Sequence, residues 1–189
     1  MKKAVILHGY QHKDEYYDDS FPSPSNGHWK PWLQKQLLIH DINAQTPEVF
    51  MSWQLKYEAW AREFEKYEIN EDTALVGHSC GGGFIVRWLS EHPNVKVDKV
   101  VLVAPWVDPF KEDVPGFFDF TIDPNLVSHT AGVVIFNSDD DHASIHKTVE
   151  ILRTSIKDIE YREFHNYGHF NLGAMGTVEF PELRDHLIK

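Results

Sequence analysis

The sequence predicts an α/β protein: a three-layer α/β/α sandwich on a mostly parallel sheet. Three observations predict it. Short runs rich in β-branched and aliphatic residues alternate with amphipathic stretches of helical length. The β-like runs are continuously apolar rather than alternating, the pattern of strands covered on both faces. No internal repeat, low-complexity tract or long linker interrupts the alternation, so a single domain over residues 1–189 is expected.

In chain order, KAVILH at 3–8 reads as the first strand and Trp29 to Ile39 as a helix. A longer helical pattern follows from Ser52 to Tyr67, then the strand TALVG at 73–77 and a helix from Gly82 to Glu91. Pro47 and Pro93 punctuate helix boundaries. DKVVLVA at 98–104 and GVVIFNS at 132–138 are two further buried strands, the second followed by a helix from Ser144 to Ser155. IEYREF at 159–164 alternates, which places it nearer a sheet edge, and a last helix runs from Glu179 to Ile188. Residues 105–131 break the rhythm with Pro, Asp and Phe. They read either as a cap or binding loop, or as a crossover whose Phe110, Phe117, Phe118 and Phe120 pack on the domain.

Composition narrows the function. A formal charge of −11, from 18 basic against 29 acidic residues, disfavours nucleic acid and an anionic membrane surface as partners. The longest apolar run near the start, Ala4–Leu7, is too short for a signal-peptide core or a membrane span, so a cytoplasmic location is expected. One cysteine allows no internal disulfide and no thiolate-rich metal site. The 12 histidines show no HExxH or comparable ligand spacing, so no metal is expected.

The chemistry concentrates at residues 77–81, Gly-His-Ser-Cys-Gly, between a buried strand and a helix. This is G-x-S-x-G in the strand–turn–helix context that makes Ser79 a nucleophile on a strained elbow. The flanking glycines give clearance where strand and helix pass closely. Gly82 and Gly83 serve the same purpose, since glycine costs about 1 kcal/mol against alanine inside a helix. Cys80 reads as a small side chain packed behind the turn rather than as the nucleophile.

A serine hydroxyl needs a base within hydrogen-bond reach and a third group to orient that base. The loop after the fourth strand offers Asp139, Asp140 and Asp141, and spacing does not choose among them. Those that do not serve the base would cap the following helix. After the fifth strand His165 and His169 compete; His169 is favoured because it lies beyond the strand end beside Gly168. His78 should point away from the elbow and support the site by packing. The order Ser, Asp, His suits an α/β hydrolase. An oxyanion hole is expected from the backbone N–H groups of Cys80 and, on the loop after the first strand, Tyr10, with Gly9 allowing the tight turn.

These residues give the chain its resemblance to the small serine hydrolases of the α/β-hydrolase superfamily, the group typified by retinoblastoma-binding protein 9 and the bacterial YdeN-like proteins. The likeness spans essentially the whole length: VILHGY, HWKPWLQKQL, VGHSCGGGFIVRWL, NSDDDH and the terminal GHF. The resemblance implies Ser79 as nucleophile, His169 as base and, as the acid, the last Asp of an S-x-D-D pattern, Asp141. The family usually continues with proline where this chain has His142-Ala143-Ser144-Ile145, which leaves Asp140 as runner-up. It also implies a compact α/β-hydrolase fold with no large cap domain, acting on small ester, thioester or amide substrates, a small-molecule acyl compound being its partner. Hydrolysis by a serine nucleophile needs no organic cofactor, so none is expected. Trp29, Trp32 and Trp106 are candidates for an apolar acyl pocket. Two other functions fit the same fold: a binding or scaffold protein with vestigial catalysis, and an acyltransferase using the same elbow.

Overall fold

A computed structural model describes residues 1–111 and 116–189 of the chain. Its framework is a six-stranded sheet of β1 (Lys3–Leu7), β2 (Asn43–Gln45), β3 (Thr73–His78), β4 (Val100–Val103), β5 (Val133–Ser138) and β6 (Glu160–Phe164). Every neighbouring pair is parallel. Successive strand residues point to opposite faces. The complete burial of β3, β4 and β5, and of all but the first residue of β1, therefore means that both faces are covered.

The helices are α1 (Lys13–Tyr16), α2 (Lys30–Ile39), α3 (Tyr57–Phe64), α4 (Cys80–Glu91), α5 (Ala143–Ser155), α6 (Leu172–Met175) and α7 (Pro181–Ile188). Of these, α2 packs on β1, β2 and α7, and α4 packs on β3, β4 and α3. Trp60, Phe64, Phe84 and Trp88 interlock at the α3–α4 seam, with ring centroids 5.0 to 5.8 Å apart. No helix among the described residues is long and apolar enough to cross a membrane.

One strand was not expected, and two expectations need correction. A short edge strand, β2, pairs with β1 although Asn-Ala-Gln carries no β-branched residue. The pattern from Ser52 to Tyr67 is not one helix: a 3-10 turn at Ser52–Gln54 is separated from α3 by Leu55, which takes a left-handed conformation at φ 45°. Pro47 lies in the coil after β2 rather than at a helix boundary. In the 105–131 segment, Phe117 is buried and Phe118 and Phe120 pack on the core, while Phe110 is exposed. Residues 112–115 of that stretch lie outside the described residues.

The strand order β2-β1-β3-β4-β5-β6 fixes where a site can form. From β1 the chain runs outward to β2, then returns to the other side of β1 to make β3. The connections thus leave the carboxyl ends of β1 and β3 in opposite directions, and they open a crevice there, the general ligand position of open α/β sheets. Leu7 and Gly77 are paired in register, so the loops that begin at His8 and Ser79 both start at that crevice.

Candidate active site

Ser79 sits between β3 and α4 with φ 55° and ψ −124°, a conformation that residues with a Cβ rarely adopt. Its backbone is tied down on all sides. The Ser79 N–H donates to Val103 O at 2.9 Å, and its carbonyl accepts from Gly82 N at 2.9 Å, Gly83 N at 3.2 Å and Trp106 N at 3.0 Å. The neighbouring glycines are demanded by proximity. A Cβ on Gly77 would lie 2.6 Å from Gly82 Cα, and one on Gly81 would lie 2.2 Å from His8 O. The elbow leads straight into α4, which begins at Cys80, two residues before the expected start at Gly82.

The three aspartates after β5 all bind the loop after β6, each at a different point. Asp139 Oδ2 pairs with His165 Nδ1 at 2.8 Å, and its Oδ1 accepts from Asn166 N at 3.1 Å. Asp140 Oδ1 accepts from Gly168 N at 2.8 Å and from Ser138 Oγ at 2.6 Å. Asp141 places both carboxylate oxygens on His169 Nδ1, at 3.0 and 3.1 Å, and its side chain is fully buried. None caps α5: its N-cap is His142, with no side-chain cap hydrogen bond. His165 is 70% exposed in its side chain and lies at the surface with Asp139, which raises its pKa.

The His169 backbone is clamped from beneath. His78 is buried and donates from Nε2 to His169 O at 2.8 Å, since a carbonyl can only accept. Burial holds the His78 pKa well below its ordinary value, so the ring is neutral and serves as a strut. Trp29 Nε1 donates to Phe170 O at 3.0 Å. The side chain expected to point away from the elbow therefore supports the neighbouring loop directly.

The first-strand loop is fixed in the same way by His8. Its Nδ1–H donates to Gly9 O at 2.7 Å, leaving Nε2 to accept from Val49 N at 3.1 Å. Burial lowers the His8 pKa to about 4, against an opposing pull from Glu48. A Cβ on Gly9 would come within 2.9 Å of Ser79 Cβ, so this loop passes directly over the elbow. Burial raises the pKa of the Cys80 thiol, and backbone N–H groups of Tyr10, Cys80 and Gly81 oppose that rise. The thiol itself is buried and protonated.

Ser79, His169, Tyr10, His12 and His142 border two adjoining lobes of a cleft, each of about 530 Å³. One lobe is aromatic and aliphatic, walled by Trp53, Leu55, Trp106 and Ile145. The other is mixed, walled by Gln11, Phe21, Pro22, His28, Lys30 and Asn171. No hydrogen bond within 3.5 Å joins the Ser79 hydroxyl to the His169 ring in this structure. Of the three tryptophans singled out in the sequence, only Trp106 reaches the cleft. Trp29 is completely buried against His78 and Phe180, and Trp32 packs beside Arg184. Trp53, Leu55 and Ile145 were not anticipated, because each comes from a loop or helix start whose position only the fold defines. Lys30 could have been noticed as a charge inside the otherwise apolar Trp-x-Pro-Trp-Leu element. No group of three or more His, Cys, Asp or Glu among the described residues could hold a metal ion.

Comparison with known proteins agrees with this architecture. The chain is 28% identical to the YdeN protein of Bacillus subtilis (strain 168), over 98% of this chain and 94% of YdeN. The crystal structure of the B. subtilis ydeN product superposes with a TM-score of 0.78 at 24% identity, covering 99% of this chain and 97% of that one. A YdeN-like protein from Pectobacterium atrosepticum gives a TM-score of 0.64 at 17% identity, covering 99% and 88%. The fold is thus the compact α/β-hydrolase fold. A family model described as serine hydrolase matches residues 4–189, and the chain belongs to that family.

Proposed function

We propose that the protein cleaves small ester, thioester or amide substrates with Ser79 as nucleophile, His169 as base and Asp141 as the group that orients the base. The observation that carries this reading is the buried Asp141 carboxylate on His169 Nδ1, at the lip of a cleft that the strained Ser79 also borders. Asp141 accepts the Nδ1–H, which leaves Nε2 of the ring as the acceptor for a serine proton. The Ser79–His169 contact closes when substrate enters, as catalytic hydrogen bonds commonly do.

In the first step Ser79 Oγ bonds to the substrate carbonyl carbon while its proton passes to His169 Nε2. The carbonyl π pair moves onto oxygen, and the backbone N–H groups of Tyr10 and Cys80 receive that charge. When the oxyanion re-forms its double bond, the bond to the leaving group breaks. His169 returns the proton to the departing alcohol, thiol or amine, and an acyl group remains on Ser79. Water then repeats the sequence: its oxygen bonds to the acyl carbon as His169 takes its proton, the acyl–oxygen bond to Ser79 breaks as His169 returns that proton to Ser79 Oγ, and the carboxylic acid leaves. The aromatic lobe around Trp106 receives an apolar substituent of the scissile bond.

The test is labelling with a fluorophosphonate probe, followed by mass mapping of the modified peptide. Phosphonylation at Ser79 is expected, and Ser79→Ala should abolish labelling and lower turnover of short-chain para-nitrophenyl esters by about 10⁵-fold. Folded protein that resists the probe, or ester turnover unchanged in Ser79→Ala, would refute the assignment.

A further inference from the structure

The lobe bordered by His28 holds a charge that the proposed mechanism does not use. Lys30 is the first residue of α2 and is only 1% exposed, yet it lines the lobe together with Gln11, Pro22, Gly27 and His28. It is the sole Lys or Arg among the described residues of that wall. Among the described residues no carboxylate lies within 4.0 Å of Nζ and no side-chain hydrogen bond satisfies it. Its contact is with the Trp29 ring, at 5.6 Å from the centroid.

The other charged and titratable groups around Nζ do not supply its partner. Glu48 acts on it electrostatically from beyond 4.0 Å: its Oε2 accepts from Ser25 N at 3.0 Å, and its Oε1, 3.9 Å from the neutral His8 Nε2, has no hydrogen-bond partner among the described residues. His8 and His78 are held neutral by burial, and His28, His12, His142, His169 and Glu15 stand on the walls or mouth of the lobe. Burying an ammonium group without a partner is costly, so a fold that keeps one beside a cavity is arranged to receive an anion there. Burial brings the Lys30 pKa down to about 7, against an opposing pull from Glu48. A bound carboxylate would restore the charged form.

We propose that the lobe lined by Lys30 is a carboxylate subsite, so that preferred substrates are esters bearing a carboxylate on one side of the scissile bond. This rests on the hydrolase reading above for the word substrate, but not for the binding itself. The two lobes meet at Ser79, so a substrate spanning them would place its apolar substituent toward Trp106 and its carboxylate toward Lys30. The chain as a whole carries −11, so long-range attraction does not bring such a substrate in and selectivity must come from the local pair.

Two matched pairs of esters test the proposal. One carries the carboxylate on the acyl side, mono-para-nitrophenyl glutarate against its methyl ester. The other carries it on the leaving group, para-butanoyloxybenzoate against its methyl ester. In the unmodified protein at least one carboxylate should exceed its neutral partner in kcat/KM by about tenfold or more. Lys30→Met should erase that preference, chiefly through KM, and Lys30→Arg should restore part of it. No preference for either carboxylate in the unmodified protein, or a preference that survives Lys30→Met, overturns the proposal, and the first comparison stands even if the variant does not fold. Calorimetric titration of the unmodified protein with glutarate and with glutaramide separates the two readings. Glutarate alone should bind; if it does and no ester is turned over, the hydrolase mechanism fails while the subsite stands, and if neither binds, the subsite fails.

Discussion

Asp139, Asp140 and Asp141 grip one loop at three successive places, and the three bonds have different consequences. Asp141 alone touches the imidazole of His169, from a fully buried position. Asp140 holds the Gly168 N–H one residue before it and is tied in turn by Ser138 Oγ. In the proposed mechanism, Asp141→Asn presents an amide to Nδ1 and favours the wrong tautomer, and kcat should fall by about 10⁴-fold. Asp140→Asn keeps an acceptor for Gly168 N–H but loses its charge, so the fall should be nearer tenfold and accompanied by a lower melting temperature. Steady-state kinetics on a para-nitrophenyl ester with parallel thermal unfolding distinguishes them; equal losses in the two variants would remove the distinction. The sequence made the trio visible but could not rank its members, because adjacent residues in a turn point in directions that only the loop's path decides. The same applies to Trp29 and Trp106: both are large aromatics near the motifs, yet one is core and one faces the cleft.

At the level of elements, the elbow is a place where three backbones converge. A Cβ on Gly81 would meet His8 O at 2.2 Å and Leu7 O at 3.0 Å, and these are backbone atoms at the end of β1 that no rotamer change can move. Gly81→Ala should therefore destabilise by more than about 3 kcal/mol or prevent folding, well beyond ordinary helix-propensity effects. Gly27→Ala makes the opposite case. Its φ of −84° suits any residue and the nearest atom lies 3.7 Å away, so alanine there should be neutral or add about 0.5 kcal/mol. Denaturant unfolding of both variants checks the contrast, and a Gly81→Ala protein as stable as the parent would show that the elbow can open. The strands β1, β3, β4 and β5 and the helix after the elbow were legible because burial on both faces forces continuous apolar runs. β2 was not: an edge strand of three residues needs only backbone pairing with β1, which leaves no periodicity to read. Nor was the break at Leu55, where a left-handed turn forms without glycine.

For the whole molecule, sheet topology explains why two neutral histidines lie in the interior. The crevice between β1 and β3 is walled by the loops that follow both strands, and His8 and His78, the residues at those strand ends, tie the loops to Val49 and to His169. The His8 bond needs the uncharged ring, because Nε2 must accept from Val49 N–H, whereas His78 donates to its carbonyl and it is burial that keeps that ring neutral. In the folded state the His8 pKa is about 4, whereas an unfolded chain protonates it near 6.5. Between these values the unfolded state binds the extra proton, so stability is full above about pH 6.5 and is lost as pH falls toward 4. His78, His28 and His186, whose pKa values burial also lowers, act in the same direction as His8. The surface Asp139–His165 pair adds little. Net charge works against this trend, since acid relieves the self-repulsion of a chain at −11. A decline in the denaturant midpoint from pH 7 to pH 5 therefore reports the buried rings rather than the overall charge. His8→Gln, which does not titrate, should show a shallower decline than the parent, and a parent midpoint that stays level or rises over the same interval would mean that the two rings are not held neutral by the fold.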